Sequence, residues 1–386
     1  MKPHCCFIGT TLADNPVPHH FVALARELAR RGHRIVIIAP HRRLDLEDPR
    51  GNPAIYAWPS ERPTKLRDAI FLLRLIRQFQ PTALIANFAA VNLMTTVGSL
   101  AHVPHRVVWY HTISRQLSQD NPGPRWKTHL LNLRKRMVYR AATQIVANSA
   151  ASAADMQIVY GIPPAKCRIF FNSLADPLAA GNWSANQPAP GKLICVGRFF
   201  PSKGQDVLLR ALVLLKRKVP GVQIEFVGEG PSLAACRKLA QELDVADRCL
   251  FTGRVEHGEV LRKMAAAMAT VVPSRSEAFG LVNIESMAVG TPVVGSAVGG
   301  IVEIVRDGKD GFLVPPDDPS ALATRLETVL THPQLRRELS RRARERFLAE
   351  FEQSRSVREQ ADWQEALFDG NRSASPIKNM VHGTPA

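Results

Sequence analysis

Two glutamates eight positions apart, Glu277 and Glu285, stand in the otherwise apolar stretch PSRSEAFGLVNIESMAVGTPVV (273–294). Paired carboxylates suggest general acid–base chemistry, and their spacing tests that idea. A helix starting near Leu281, after the Phe279-Gly280 turn, sets Glu277 before its N-terminus and Glu285 about one turn inside. Eight residues of helix rise about 12 Å, whereas glycoside hydrolase carboxylates stand roughly 5 to 9.5 Å apart across one bond. Two carboxylates that each accept hydroxyl hydrogen bonds at opposite ends of an elongated ligand fit the spacing better. Between them lies a helix N-terminus, whose free N–H groups and dipole suit phosphate. Hydroxylated ring, diphosphate, hydroxylated ring is the outline of a nucleotide sugar. The plain alternative is a solvated loop glutamate followed by an ordinary helix-surface glutamate.

Upstream, GRFFPSKGQD follows the strand-like run KLICV, so Gly197, Arg198 and Lys203 fall at the carboxyl end of a strand. Open α/β sheets bind ligands at that edge. An arginine and a lysine there can neutralise a diphosphate and stabilise it as it leaves. The alternative is two surface bases in a loop. VGEGP (227–231) and FTGRV (251–255) are further glycine-containing strand exits.

The elements that must position these residues come in two similar sets. HCCFIG is followed by HHFVALARELARRGHRIVIIAP, with apolar residues 21, 24, 25 and 28 at helical spacing, Gly32 as a stop, and a buried strand over 35–39. KLICVGRFFPSKGQDVLLRALVLL leads likewise into VQIEFVGEGP. Strand, loop, helix, strand is the signal of a parallel sheet with helices packed on it. At 386 residues the chain is long enough for two such α/β domains. We place the first at 1–180 and the second at 190–354. The Pro-, Gly-, Asn- and Ser-rich segment 172–192 reads as the linker. Helices are expected over 320–332, 334–350 and 355–369, and a disordered tail over 370–386.

The net charge of +16 is uneven: residues 1–186 hold 23 Lys+Arg against 10 Asp+Glu, the rest 27 against 24. The basic first half should attract something anionic, such as a phospholipid surface, a phosphorylated acceptor or nucleic acid. It carries no recognised nucleic-acid-binding motif. The six cysteines show no CxxC or Cys/His ligand spacing, which reads as reduced structural thiols. No apolar run approaches the roughly 18–20 residues of a membrane span, and the N-terminus lacks a signal-peptide core. The expected location is cytoplasmic, or peripheral at the inner face of the membrane.

The run from Val272 to Asp318, together with GRFFPSKGQD, EFVGEGP and FTGRV, resembles the glycosyltransferase family 4 group. That resemblance implies the GT-B architecture, two Rossmann-like domains facing a cleft, with the segment 355–369 crossing back onto the first domain. It implies that Glu285 holds the nucleotide ribose and Glu277 the transferred sugar. Phe279, Gly280 and Leu281 would offer backbone N–H groups, Arg198 and Lys203 would bind the diphosphate beside Gly197, and Val255 would lie near the base. It further implies retention of anomeric configuration and no metal or other cofactor, the donor being a nucleoside diphosphate sugar.

The first half matches more loosely. A single glycine in FIGTTLADNPVPHH replaces the usual pair; Gly9 and Thr10 are assigned near the leaving phosphate and the acceptor. His111 ends VVWYHT where such a histidine stands beside the donor sugar, or is a satisfied loop histidine. His19 and His20 are open between packing, capping and acceptor contact. Ser173-Leu174 replaces Gly-Val in IFFNSLADP, which implies a stiffer hinge.

Residues 124–140 place Trp126, Leu130, Leu133 and Met137 on one helical face, with Arg125, Lys127, Arg134, Lys135, Arg136 and Arg140 crowding the rest. This is a basic amphipathic helix on anionic lipid or a core-facing helix with a solvated basic side. The expected activity is transfer of a hexose to a hydroxyl acceptor, a lipid-linked or polysaccharide glycan intermediate. A catalytically weak partner subunit on the same fold is the alternative.

Overall fold

Runs such as RIVIIA (34–39) and ALIA (83–86) show no polar alternation, as suits strands covered by helices on both faces. The computed structural model describes residues 3–40, 48–179 and 188–370. In it such runs form two parallel sheets. The strands of the first are β1 (Cys5–Gly9), β2 (Arg34–Ala39), β3 (Ala54–Ala57), β4 (Ala83–Ala86), β5 (His105–Tyr110), β6 (Gln144–Ala147) and β7 (Cys167–Ile169). Those of the second are β8 (Lys192–Val196), β9 (Gln223–Val227), β10 (Cys249–Gly253), β11 (Ala269–Val272), β12 (Val293–Ser296) and β13 (Gly311–Val314).

The helices of the first half are α1 (Pro16–Arg30), α2 (Leu66–Phe79), α3 (Ala90–Leu100), α4 (Ser114–Asp120), α5 (Arg125–Ala141) and α6 (Ala150–Tyr160). They are followed by α7 (Gln205–Lys218), α8 (Leu233–Glu242), α9 (His257–Ala265) and α10 (Leu281–Ala288). The last are α11 (Ile301–Ile304), α12 (Pro319–Thr331), α13 (Pro333–Arg346) and α14 (Gln353–Phe368).

The first unit comprises residues 1–111, 123–173 and 353–386. Its strand order is β3-β2-β1-β4-β5-β6-β7. Phe7, Val36, Leu84 and Val108 point to one core with Met94 of α3 and Tyr160 of α6. Helix α14 packs along α1 in this unit. Arg31 there donates to Asp362 (2.6 Å) and Glu365 (2.7 Å), and His33 Nε2 lies 3.0 Å from Glu365 Oε1.

The second unit comprises residues 112–122 and 174–352, in the order β10-β9-β8-β11-β12-β13. Leu193, Phe226 and Val271 meet Leu208 and Leu212 of α7 and Leu326 of α12 in its core. In each sheet the strand that comes first in the sequence is an interior one, and the order reverses beside it. The switch points therefore lie between β1 and β4 and between β8 and β11. Those are the positions where an open α/β sheet leaves a ligand crevice at the carboxyl ends.

Some boundaries differ from those expected. Residues 112–122 group with the second unit rather than the first: α4 contacts the turn Pro201–Lys203, and Asp120 Oδ1 accepts from Ser202 N (3.2 Å). The helix expected over 334–350 ends as α13 at Arg346 and gives way to a π-helical turn, Phe347–Phe351. The unit boundary falls at Ser173/Leu174, not 180. Residues 180–187 of the linker, and 371–386 of the expected tail, lie outside the described residues. All six cysteines are unpaired, and burial pushes the Cys195 thiol up to about 12.

Candidate functional site

In the second unit the topology brings the exits of β8 and β11 side by side. Gly197 and Arg198 follow β8, and Lys203 ends the turn Pro201–Lys203. Pro273 to Gly280 follow β11. Arg275 fastens the two loops together. Its guanidinium grips Asp206 through Nη1 and Nη2 (2.8 and 2.7 Å) and reaches Asp317 through Nε (2.6 Å), and its backbone N–H donates to Ser202 O (2.7 Å). A bidentate arginine–carboxylate pair fixes direction as well as distance.

On this frame Lys203 Nζ lies 2.5 Å from Glu277 Oε2, with Ser274 Oγ at 3.4 Å from the same oxygen. Glu277 is only 8% exposed. The sequence assigned Lys203 and Glu277 to separate parts of a ligand; the fold also pairs them with each other. An ammonium has three donors, so the pair leaves Lys203 with capacity toward an anion. Arg198 is exposed, forms no ion pair among the described residues, and lies over the Phe200 ring at 4.8 Å.

The chain then turns at Gly280 (φ 94°) into α10. A Cβ there would collide with Asn283 Nδ2, which instead donates to Gly280 O at 2.9 Å. Gly299 and Gly300 pack against the backbone of 277–279, and Gly300 N donates to Glu277 O (3.1 Å). Phe279 is buried and edge-on to Phe351. These contacts hold the N-terminus of α10, Leu281 included, between the two carboxylates. A helix's first N–H groups have no carbonyl one turn earlier to donate to; here Asn283 N bonds Gly280 O (2.9 Å).

Glu285 is 7% exposed on α10, and its Oε1 lies 3.0 Å from His257 Nε2 at the start of α9. The sequence reading missed His257; the one signal was its place four residues after a strand exit. Val255, beyond β10, packs against the apolar cluster that includes Ile194 and Val227. Gly9, Thr10 and His111 belong to the first unit, so the residues predicted for one site are divided between two units.

Gly9 lies against α3: a Cβ would strike Met94 Sδ and come 2.8 Å from Ala90 Cβ. Thr10 Oγ1, both side-chain polar atoms of Asn87 and both ring nitrogens of His111 are shielded from solvent and unpartnered. Buried polar atoms left unpaired are rare in native proteins. Asn87 N donates to Gly9 O (3.1 Å), so Asn87 stands at the switch point of the first sheet. The sequence reading missed Asn87, because a lone asparagine after ALIA carries no local signal. Phe88, in a left-handed conformation (φ 53°), stacks on His111 at 4.9 Å. Burial, and then the neighbouring His20, hold His111 down at about 4.

His20 is a packing residue. It is buried between Ser173 Oγ (2.8 Å) and Gln360 Oε1 (2.7 Å), and burial lowers it to about 4. His19 is exposed and pairs with Asp14 at 3.2 Å. Among the described residues, no three His, Cys, Asp or Glu side chains gather as a metal ion would require. The apolar face of α5 does not enter a core: Trp126 is 62% and Met137 61% exposed, and Leu130 and Leu133 are exposed too. Val138 and Tyr139 make its buried contact. The side chain of Arg125 lies outside the described residues. Among the described residues no helix is long and apolar enough to cross a membrane.

Two Rossmann-like units of parallel strands, the second with paired acids and bases around a helix N-terminus, define a GT-B protein. Residues 184–346 match the family model described as "Glycosyl transferases group 1", and residues 17–174 that described as "Glycosyltransferase Family 4". The chain belongs to this glycosyltransferase family. It is similar to the D-inositol 3-phosphate glycosyltransferase of Acidothermus cellulolyticus, 35% identical over 53% of this chain and 49% of that one. It is also similar to the glycogen synthase of Mycobacterium tuberculosis, 30% identical over 64% and 60%. The match spans about half the length of the first of these relatives. Among solved structures, sucrose-phosphate synthase of Thermosynechococcus elongatus superposes with a TM-score of 0.75 at 23% identity, covering 95% of this chain and all of that one. That likeness concerns the fold.

Proposed function

We propose that the chain is a retaining glycosyltransferase that moves a hexose from a nucleoside diphosphate sugar to a hydroxyl acceptor without a metal. One observation carries the reading: Glu277 and Glu285 flank the N-terminus of α10, with Lys203 bound to the first and Arg198 free of any carboxylate among the described residues. In this reading Glu277 accepts hydroxyl hydrogen bonds from the sugar, and Glu285, steadied by His257, accepts those of the ribose. Arg198, Lys203 and the N–H groups of Phe279, Gly280 and Leu281 take the diphosphate, close to Gly197, and Val255 flanks the base. Gly9, Thr10 and His111 of the first unit serve the leaving phosphate, the acceptor and the sugar. The bond from the anomeric carbon to the diphosphate oxygen breaks, and one to the acceptor oxygen forms. The acceptor proton passes to the departing diphosphate, whose charge Arg198 and Lys203 stabilise.

The acceptor we favour is a lipid-linked or polysaccharide intermediate reached from a membrane surface. The exposed apolar face of α5 beside Lys127 and Arg134 supports this. The test is a transfer and donor-hydrolysis assay across nucleotide sugars with wild type, Glu277→Ala and Lys203→Ala. A loss of roughly 10²-fold or more in either variant is expected. Wild-type turnover in both would remove the site assignment. A folded protein that binds no nucleotide sugar would instead indicate an inactive partner subunit.

A further inference from the structure

At the opposite, amino-terminal edge of the first unit's sheet lies a cavity of about 1060 Å³. The starts of β5 and β6, strand β7, the end of α5 and the end of α14 frame it. Among the described residues its charged lining has one sign: Arg106, Arg140, Lys166 and Arg168, with His105 beside them and no Asp or Glu.

Carboxylate partners do occur elsewhere in the unit. Arg31, in the same unit, is matched by Glu27, Asp362 and Glu365. Among the described residues none of the four lining cations forms an ion pair; those that are bonded meet backbone carbonyls. Arg106 Nε donates to Ala141 O (2.8 Å), and Lys166 Nζ to Arg140 O and Ala142 O (3.0 Å each). Arg168 Nη1 reaches Cys167 O at 3.4 Å, while its Nε is buried and unpartnered, as is Gln144 Oε1. The acids next to lining residues in the chain, Asp362 and Asp369, are taken by Arg31 (2.6 Å) and His4 (3.5 Å).

Magnitudes decide whether the carbonyls suffice. The C-terminus of a helix carries about half a negative charge, set here against four full positive ones. Burial lowers Arg106, and burial, then His4 and Arg106, lower His105.

We propose that this cavity is a second binding site, for a small phosphate-bearing anion. Guanidinium groups grip phosphate oxygens in pairs, and the volume is at the upper end of the roughly 300–1,000 Å³ of small-molecule pockets. The site does not rest on the donor assignment, since every lining residue belongs to the first unit.

Thermal melting with inorganic pyrophosphate up to about 10 mM, at constant ionic strength, tests it. The proteins are wild type, Lys203→Gln and Arg140→Gln/Arg168→Gln, with Arg140→Gln alone if the double variant does not fold. The expected result is a rise of a few degrees in wild type and Lys203→Gln, lost or reduced in the lining variant. The His105 ring resonances should move with the same midpoint. A shift that disappears in Lys203→Gln but persists in the lining variant, or no shift at all, overturns the proposal. Protection by phosphatidylglycerol vesicles alone, abolished by the lining substitutions, would replace the small molecule with a lipid headgroup.

Discussion

Lys203 Nζ and Glu277 Oε2, 74 positions apart in the chain, stand 2.5 Å from each other across the exits of two adjacent strands. Removing the lysine leaves a nearly buried carboxylate alone, a change that costs 3–5 kcal/mol for fully buried pairs and about 2 kcal/mol for one partly wet. Lys203→Met should therefore unfold at lower urea than wild type, and Lys203→Met/Glu277→Leu should recover much of the loss. Equal midpoints for all three proteins would show that the pair holds nothing.

Two buried histidines make stability depend on pH. His20 and His111 are held at about 4 against an ordinary 6.5. Between those values the unfolded chain binds more protons than the folded one, so stability falls as pH drops from about 6.5 toward 4, by up to roughly 3 kcal/mol per histidine. Ser173, Gln360, Phe21, Trp109 and His111 face His20, and none is an acid that would oppose the shift. His20→Gln should flatten the pH dependence of the urea midpoint; an unchanged slope would contradict the assignment.

Gly9 has a structural duty whatever it does for a ligand. Gly9→Ala drives a methyl into Met94 and Ala90, and overpacking of this kind costs about 1–3 kcal/mol. Adding Met94→Ala should relieve the clash. A Gly9→Ala protein as stable as wild type in thermal melting would show that α3 yields freely.

Helix α5 supplies the membrane prediction. Wild type should co-sediment with vesicles containing phosphatidylglycerol and not with pure phosphatidylcholine, and Trp126 emission should shift to the blue. Trp126→Ser/Met137→Ser should lose most of that binding, since each buried apolar side chain contributes about 1.5–3 kcal/mol. Equal sedimentation of both proteins would assign the exposed face to something else.

The sequence carried the acids, the bases and the turn between them because these are local: strand runs without alternation, glycines at their exits, and a Phe-Gly break before an apolar helix. It could not carry which exits become neighbours. That β8 lies beside β11, and so Lys203 beside Glu277, is a property of strand order. His257 and Asn87 escaped notice for the same reason, as single polar residues whose meaning comes from Glu285 and Gly9 in space. Helix α5 shows the reverse failure. Its pattern of Trp126, Leu130, Leu133 and Met137 reads identically for a core-facing and a solvent-facing helix, and only the fold decides. Likewise residues 112–122 gave no sign that α4 would side with the second unit.

The chain leaves the first unit after Ser173 and rejoins it at Gln353, and at that passage Leu174 N donates to Phe351 O at 3.1 Å while Leu174 bridges Glu352. Most of the second unit is thus a contiguous insert whose two ends already touch. Such a segment can be excised as one piece, or circularly permuted, without stretching its ends. The first unit has no such freedom: a fragment stopping at residue 173 forfeits α14, and with it Gln360 beside His20, Asp362 and Glu365 beside Arg31, and Glu365 beside His33.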